Sequence, residues 1–194
     1  MIELHWPSTM SAELAARVHR VLHAVVAAGG AVGYLTPPPL SVTEAWLSGT
    51  LGAVRAGDAA LALGVVDGRV EAMGMWHRRG PEPIFAHSAD VTKVMAHPAA
   101  RGLGLGGLVV SGLVERARAA GLETLTLGVR GNNHGTIDLY RSLGFVEWGR
   151  LPNVIEVGAD RYDDVRMYLP LSRAPGVRLR GSSPGGPGSS PARS

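Results

Sequence analysis

Residues Arg101 to Gly107, RGLGLGG, hold four glycines in seven positions. Glycine lets backbone approach a phosphate without a Cβ in the way, and the N–H groups that open a helix favour an anion. A strand-like run, Asp90 to Ala96, lies before this turn and a helical apolar pattern follows it. The segment therefore has the position of a phosphate cradle between strand and helix. The spacing Gly102-x-Gly104-x-x-Gly107 also fits the dinucleotide fingerprint. Such a turn follows its strand directly and usually opens its domain. Here His97 to Arg101 intervene, and the next strand ends in Val129-Arg130 with no acid to hold a ribose. Position argues against a dinucleotide, although Arg130 would suit a 2′-phosphate. A purely structural reading, in which the glycines let the helix pack on the sheet, stands beside the phosphate reading.

Other residues with chemical potential are fewer. His19 and His23 are four apart on one helix, a spacing that can chelate zinc, but Arg-Val-Leu separates them and no third ligand is indicated. Metal is not expected. His97 and His134 flank glycine-rich and asparagine-containing turns. The absence of cysteine excludes disulfides, zinc-thiolate sites and cysteine nucleophiles.

These residues need a scaffold, and the hydrophobic pattern supplies one. Ile2, Leu4 and Trp6 alternate as a short strand. From Ser11, the residues Leu14, Val18, Val21, Leu22 and Val25 recur at helical spacing up to Gly29-Gly30. The run Gly29 to Leu40, with three consecutive prolines, reads as a loop. Ser41-Val42-Thr43-Glu44 reads as a capping box opening a helix to about Ala56. Two strands, Leu61 to Val66 and Val70 to Trp76, flank the turn Asp67-Gly68. After the strand from Asp90 and the glycine turn, Leu108, Val109, Gly112 and Leu113 share a helical face ending near Gly121. Thr124 to Val129 reads as a buried strand, Asn133 to Leu143 as a short helix closed by Gly144, and Phe145 to Arg150 and Val165 to Leu169 as the last strands. The order β-α-α-β-β-β-α-β-α-β-β defines an α/β fold, a mixed sheet with helices on both faces.

The chain has 194 residues, enough for one domain with a real core. Hydrophobic residues make up 45% and charged residues 18%, which suits a soluble globular protein, and no apolar run reaches the roughly 18 residues that span a bilayer. The N-terminus lacks the basic-then-apolar order of a signal peptide, so the expected compartment is the cytoplasm. The pI is near 9.8, yet the net charge is only +3, and the 18 arginines and one lysine are scattered. A nucleic-acid binder concentrates its charge on one face, so no nucleic-acid or membrane partner is expected. From Ala174 onward, 14 of 21 residues are Gly, Pro or Ser. The expected organisation is therefore a domain over residues 1–172 and a disordered tail over 173–194.

Two motifs carry a family resemblance. The run Val94-Met95-Ala96-His97-Pro98-Ala99-Ala100-Arg101-Gly102-Leu103-Gly104-Leu105-Gly106 contains the R-x-x-G-x-G turn, and Asn133 through Leu139-Tyr140-Arg141-Ser142-Leu143-Gly144-Phe145 contains an N-x6-Y-x3-GF pattern. Together they resemble the GNAT superfamily of N-acetyltransferases over about a third of the chain. The resemblance implies a single GNAT-type domain with a mostly antiparallel mixed sheet, acetyl-CoA as cosubstrate and no metal. It implies that Val94, Met95 and Ala96 meet the pantetheine, that Arg101, Gly102, Leu103, Gly104, Leu105, Gly106 and Gly107 hold the pyrophosphate, and that Asn133 binds the pantetheine arm. Tyr140 would also touch the cosubstrate, as the general acid that protonates the leaving thiolate. Its alternative is a core aromatic, since Ile137, Tyr140 and Gly144 share a face.

Some relatives place a glutamate five residues before the asparagine; that position is Gly128, so that base is absent. Asp90, at the start of the cofactor strand, is a candidate base or ammonium binder, with a structural arginine pair as its alternative. Gly29 to Leu35 and Ala89-Asp90-Val91-x-Lys93 resemble the tabtoxin-resistance branch, which implies a small amino-acid-like or antibiotic-like amine. Acetylation of a protein N-terminus or lysine, and an idle acyl-CoA-binding module, are the alternatives. A homodimer is a further expectation from the family.

Overall fold

The computed structural model describes residues 1–30, 32–80 and 82–171; the tail expected at 173–194 lies outside them. One seven-stranded sheet runs through the molecule in the order β1-β2-β3-β4-β5-β7-β6. Its strands are β1 (Ile2–His5), β2 (Ala59–Val66), β3 (Arg69–Arg78), β4 (Ser88–Ala96), β5 (Thr124–Arg130), β6 (Val146–Val157) and β7 (Asp160–Pro170). Only β4 and β5 pair in parallel; every other neighbouring pair is antiparallel. That ladder excludes the doubly wound parallel sheet that a dinucleotide turn requires.

Helices α1 (Ala12–Ala27) and α2 (Leu40–Ala56) cover one face, and α3 (Leu105–Ala119) and α4 (His134–Ser142) cover the other. The apolar stripe of α1 is the expected one: Val18, Val21, Leu22 and Val25 are buried beside Leu47 and Leu51 of α2 and Leu61, Leu63 and Met73 of the sheet. Ser11 caps α1 by accepting from the Leu14 N–H at 3.1 Å, a bond worth about 1 kcal/mol. Between β2 and β3, Asp67 (φ 47°) and Gly68 (φ 79°) both take left-handed backbone, which matches the twist of the hairpin.

Three readings from the sequence need correction. Helix α2 is capped two residues earlier than Ser41, on Pro39, whose ring fixes φ near the −67° of an N-cap, and no side chain caps it. Thr43 is buried and pairs with His19 Nδ1 at 2.9 Å, so its hydroxyl serves a contact between helices. Helix α3 begins at Leu105, inside the glycine run, and Leu108 faces outward while Val109, Val110, Leu113 and Val114 are buried. Asn133 stands at the N-cap of α4, but its side chain makes no capping bond. The last two strands join into one long hairpin spanning residues 146–170, with Asn153 at φ 57° in an irregularity between Leu151 and Ile155. Strand β6 lies at the sheet edge with no residue fully buried, and its middle, Arg150 to Val154, is exposed throughout, so the pattern that would mark its length is interrupted.

Candidate active site

Strand β4 pairs with β5 only from Ser88–Asp90 to Thr124–Thr126, although both strands continue. Beyond Asp90 and Thr126 the two part, and the β5-facing edge of Val91 to Ala96 is left without a strand partner. Within that stretch β4 bulges against β3: Met73 faces Met95 while Met75 faces Thr92. Lys93 sits in the bulge at φ 55°. A bulge re-aims backbone groups and side chains next to functional sites.

A cleft of about 760 Å³ opens along this parting. Val94, Met95 and Ala96 line one side, Arg101, Gly102, Gly104, Leu105, Gly106 and Gly107 the head, and Asn133, Gly135, Thr136 and Leu139 the far wall. Every cofactor residue expected from the sequence faces it except Leu103, which is exposed, and Tyr140. Gly104 caps α3 in left-handed backbone (φ 72°) with no side-chain cap, so the first N–H groups of α3 meet the cleft unscreened. A Cβ on Gly102 or Gly104 would meet nothing within 4 Å, so these two positions border open space. At Gly106 a Cβ would stand 3.1 Å from Leu139, so there the packing role also holds. The uncapped N-terminus of α4 brings Asn133 to the same cleft. Two helix N-termini converging on one cavity fit an anionic, phosphate-bearing ligand such as acetyl-CoA.

Tyr140 is buried among core residues, its ring 5.5 Å from that of Phe145. Among the described residues its hydroxyl has no hydrogen-bond partner. Burial pushes the phenol well above its ordinary range, so it stays protonated through neutral and mildly alkaline pH. Asp90 stands where β4 and β5 part. It accepts from the Thr126 hydroxyl and pairs with Arg79 Nε at 3.4 Å.

A second cavity, of about 460 Å³, lies against the first, with Gly30 in the wall of both. Its walls are the loop after α1 (Gly29, Gly30, Gly33, Tyr34, Leu35), the far part of β5 (Gly128, Val129, Arg130) and the hairpin β6–β7 (Ile155, Glu156, Val157, Asp164, Arg166). Lys93 ties that loop to the bulge: its Nζ donates to the Val32 carbonyl at 2.6 Å and sits 4.6 Å from the Tyr34 ring centroid. Burial lowers its pKa. Apart from Arg130, the charged lining of this cavity was not singled out from the sequence. The available signal was Asp164 and Arg166, two apart and hence on one strand face.

His19 and His23 lie on α1 with ring centroids 5.6 Å apart. Among the described residues no group of three metal-ligating side chains occurs, and no helix is long and apolar enough to cross a membrane.

A mixed sheet parted at β4 and β5, a bulged β4 and a glycine-capped helix at the head of the cleft together define the architecture. The residue pattern of the acetyltransferase (GNAT) family matches residues 30–145, and this chain belongs to that family. It is 34% identical over 70 residues, 36% of its own length and 40% of the relative's, to the L-amino acid N-acyltransferase MnaT of Escherichia coli. It is 43% identical over 54 residues, 28% of its length, to the L-methionine sulfoximine/L-methionine sulfone acetyltransferase of Pseudomonas aeruginosa, matching 31% of that protein. The matched stretches thus span less than half of either relative. Among solved structures, the Sinorhizobium meliloti phosphinothricin acetyltransferase in complex with acetyl-CoA superposes with a TM-score of 0.75 at 19% identity, covering 93% of this chain and 94% of that one.

Proposed function

We propose that this protein transfers the acetyl group of acetyl-CoA to the primary amine of a small, amino-acid-like or antibiotic-like molecule by direct attack. The observation that carries the reading is the 760 Å³ cleft, in which the parted edge of β4, the head of α3 and Asn133 meet. Val94 to Ala96 would run beside the pantetheine, and the unpaired backbone there can hold the thioester oxygen as charge develops on it. Arg101, Gly102 and Gly104 to Gly107 would hold the pyrophosphate, with Leu103 at the rim of the turn, and Asn133, free of capping, would bind the pantetheine arm.

In the transfer, the amine nitrogen attacks the thioester carbon, the C–S bond breaks, and Tyr140 gives its proton to the departing sulfur. The nitrogen releases its surplus proton, which restores the phenol through water. A thiol and a phenol have ordinary pKa values of about 8.5 and 10, and burial raises that of Tyr140, so the phenol is protonated and able to donate when the thiolate forms. Asp90, held by Thr126 and Arg79 at the apex of the parting, is the proposed collector of the amine's first proton through water. No nucleophile suited to a covalent enzyme intermediate is needed.

The second cavity, walled on three sides and contiguous with the first, supports a compact acceptor over a protein tail. The two relatives named above act on amino acids or their analogues, which agrees. Homodimerisation and a cytoplasmic location are part of the same proposal. Coenzyme A release from acetyl-CoA, measured with L-methionine sulfone, simple amines and peptides carrying a free N-terminus or lysine, tests it. Release with the peptides alone would establish the protein-acetylating alternative. No release with any amine, alongside acetyl-CoA binding, would establish an idle acyl-CoA-binding module.

A further inference from the structure

The second cavity carries four charged side chains, and two of them are already engaged. Glu156 is largely exposed and paired with Arg161 at 2.8 Å. Arg130 donates from Nε to Asn132 Oδ1 at 2.7 Å and from Nη2 to the Gly29 carbonyl at 3.3 Å, with its guanidinium 5.0 Å from the Tyr162 ring centroid. Asp164 and Arg166, on β7, remain. Arg166 Nη2 pairs with Asp164 Oδ2 at 2.7 Å, which leaves Asp164 Oδ1 and Arg166 Nη1 without partners among the described residues. Asp164 is 16% exposed, so its carboxylate is set into the wall and not splayed into solvent.

Both free atoms face the same small space. Arg166 lies directly opposite Gly128 in the β5–β7 ladder, and Asp164 lies opposite Arg130. A Cβ on Gly128 would stand 3.0 Å from Asp164 Oδ1 and 3.3 Å from Arg166 Nη1. The absence of a side chain at Gly128 therefore lets Asp164 and Arg166 lie close against β5, with one free carboxylate oxygen and one free guanidinium nitrogen in the wall of the second cavity. Gly128 belongs to the limb of β5 that has already parted from β4, so this wall adjoins the region the thioester would reach.

We propose that Asp164 and Arg166 form the receiving pair for the acceptor. Asp164 Oδ1 takes its ammonium group, and Arg166 Nη1 takes an anionic group carried next to it, above the bare backbone of Gly128. An α-amino acid presents those two charges on one carbon, and Val26, Val129 and Ile155 border the same cavity for its apolar remainder. The assignment rests on the acetyl-transfer reading and adds to it the acceptor class and the residues that select it.

Wild-type protein, Asp164→Asn, Arg166→Gln and Gly128→Ala would be compared with L-methionine sulfone and with 3-(methylsulfonyl)propylamine, which lacks the carboxylate. Asp164→Asn keeps the side-chain size and should raise KM for both amines by about 10–100-fold, the range for losing a charged hydrogen-bond partner. Arg166→Gln should raise KM for the amino acid alone and erase its preference over the simple amine. Gly128→Ala should raise KM for both by displacing the Asp164 and Arg166 side chains. Acetyl-CoA affinity, measured by calorimetry, should be unchanged in all three. A wild-type amine KM in Asp164→Asn, or a wild-type preference in Arg166→Gln, overturns the assignment while leaving acetyl transfer intact. If the wild type releases no coenzyme A with any amine, the acetyl-transfer reading fails separately. Calorimetric binding of L-methionine sulfone to the coenzyme A-saturated protein then decides the pair: weaker binding by Asp164→Asn supports it, and equal or absent binding in both proteins overturns it.

Discussion

Replacing Tyr140 with phenylalanine would remove one oxygen from a packed ring and leave its contact with Phe145, at 5.5 Å between centroids, in place. The variant should fold and bind acetyl-CoA like the wild type, while kcat falls by about 10²–10⁴-fold if the hydroxyl serves the leaving sulfur. Wild-type kcat under conditions where chemistry limits turnover would return Tyr140 to the role of a core aromatic. Because burial holds the phenol above its ordinary range, its ionisation should contribute no descending limb to a pH–rate profile up to pH ~9.5, since tyrosine normally titrates near 10. A descending limb below that, lost in Tyr140→Phe, would contradict the assignment. Most of the residues that line the 760 Å³ cleft could be singled out beforehand because glycines and Asn133 suggest backbone roles by type. The acceptor side was not. Asp164 and Arg166 are common surface residue types, and only the pairing of β7 with β5 brings them over Gly128.

The turn between β4 and α3 can be tested as a unit. Gly104→Ala places a methyl group in open space, so it should not clash with protein. It does force alanine into φ near 72°, at a cost of about 1–2 kcal/mol. The expected result is a modest loss of melting temperature together with a much larger loss of acetyl-CoA affinity by calorimetry; unchanged affinity would remove the phosphate reading of the turn. Gly30 behaves differently. A Cβ there would approach the Val25 carbonyl oxygen at 2.8 Å, so Gly30→Ala should disturb the end of α1 and both cavities at once.

The contact of α1 with α2 has its own pH signature. Burial, followed by the charge of His23, lowers the pKa of His19 against an opposing pull from Glu44. The unfolded chain then takes up the proton first as pH falls. His19's contribution to stability is therefore full above its ordinary value of 6.5 and is lost as pH drops from there towards the folded value. Thermal melts between pH 7.5 and 5 should show the decline, and His19→Gln should flatten it. Strong periodicity made α1 readable, whereas three prolines before α2 displaced its cap, and of the hairpin β6–β7 only the alternating Val165, Met167 and Leu169 could be read.

At the scale of the molecule, one sheet separates two helical layers, and β4 parts from β5 beyond Asp90 and Thr126. The mixed sheet with helices on both faces followed from element order, whereas the strand order and the face that each helix covers came only from the structure. So did the parting itself, since strands that stop pairing midway leave no mark in hydrophobic pattern. Deleting residues 174–194 should leave melting temperature and acetyl-CoA affinity unchanged, given a composition of mostly Gly, Pro and Ser; a fall of several degrees would show that the segment packs on the domain. Lys93, finally, is the sole lysine in the sequence, and the other basic side chains apart from histidine are arginines. A catalyst that handles an acylating reagent is exposed to it continually, and guanidinium groups, always protonated, are poor nucleophiles. The one ε-amine is turned inward, bonded to the Val32 carbonyl and laid against Tyr34. The protein thus offers its reagent almost no side chain to modify, and a mass spectrum taken after hours in acetyl-CoA should show Lys93 unacetylated.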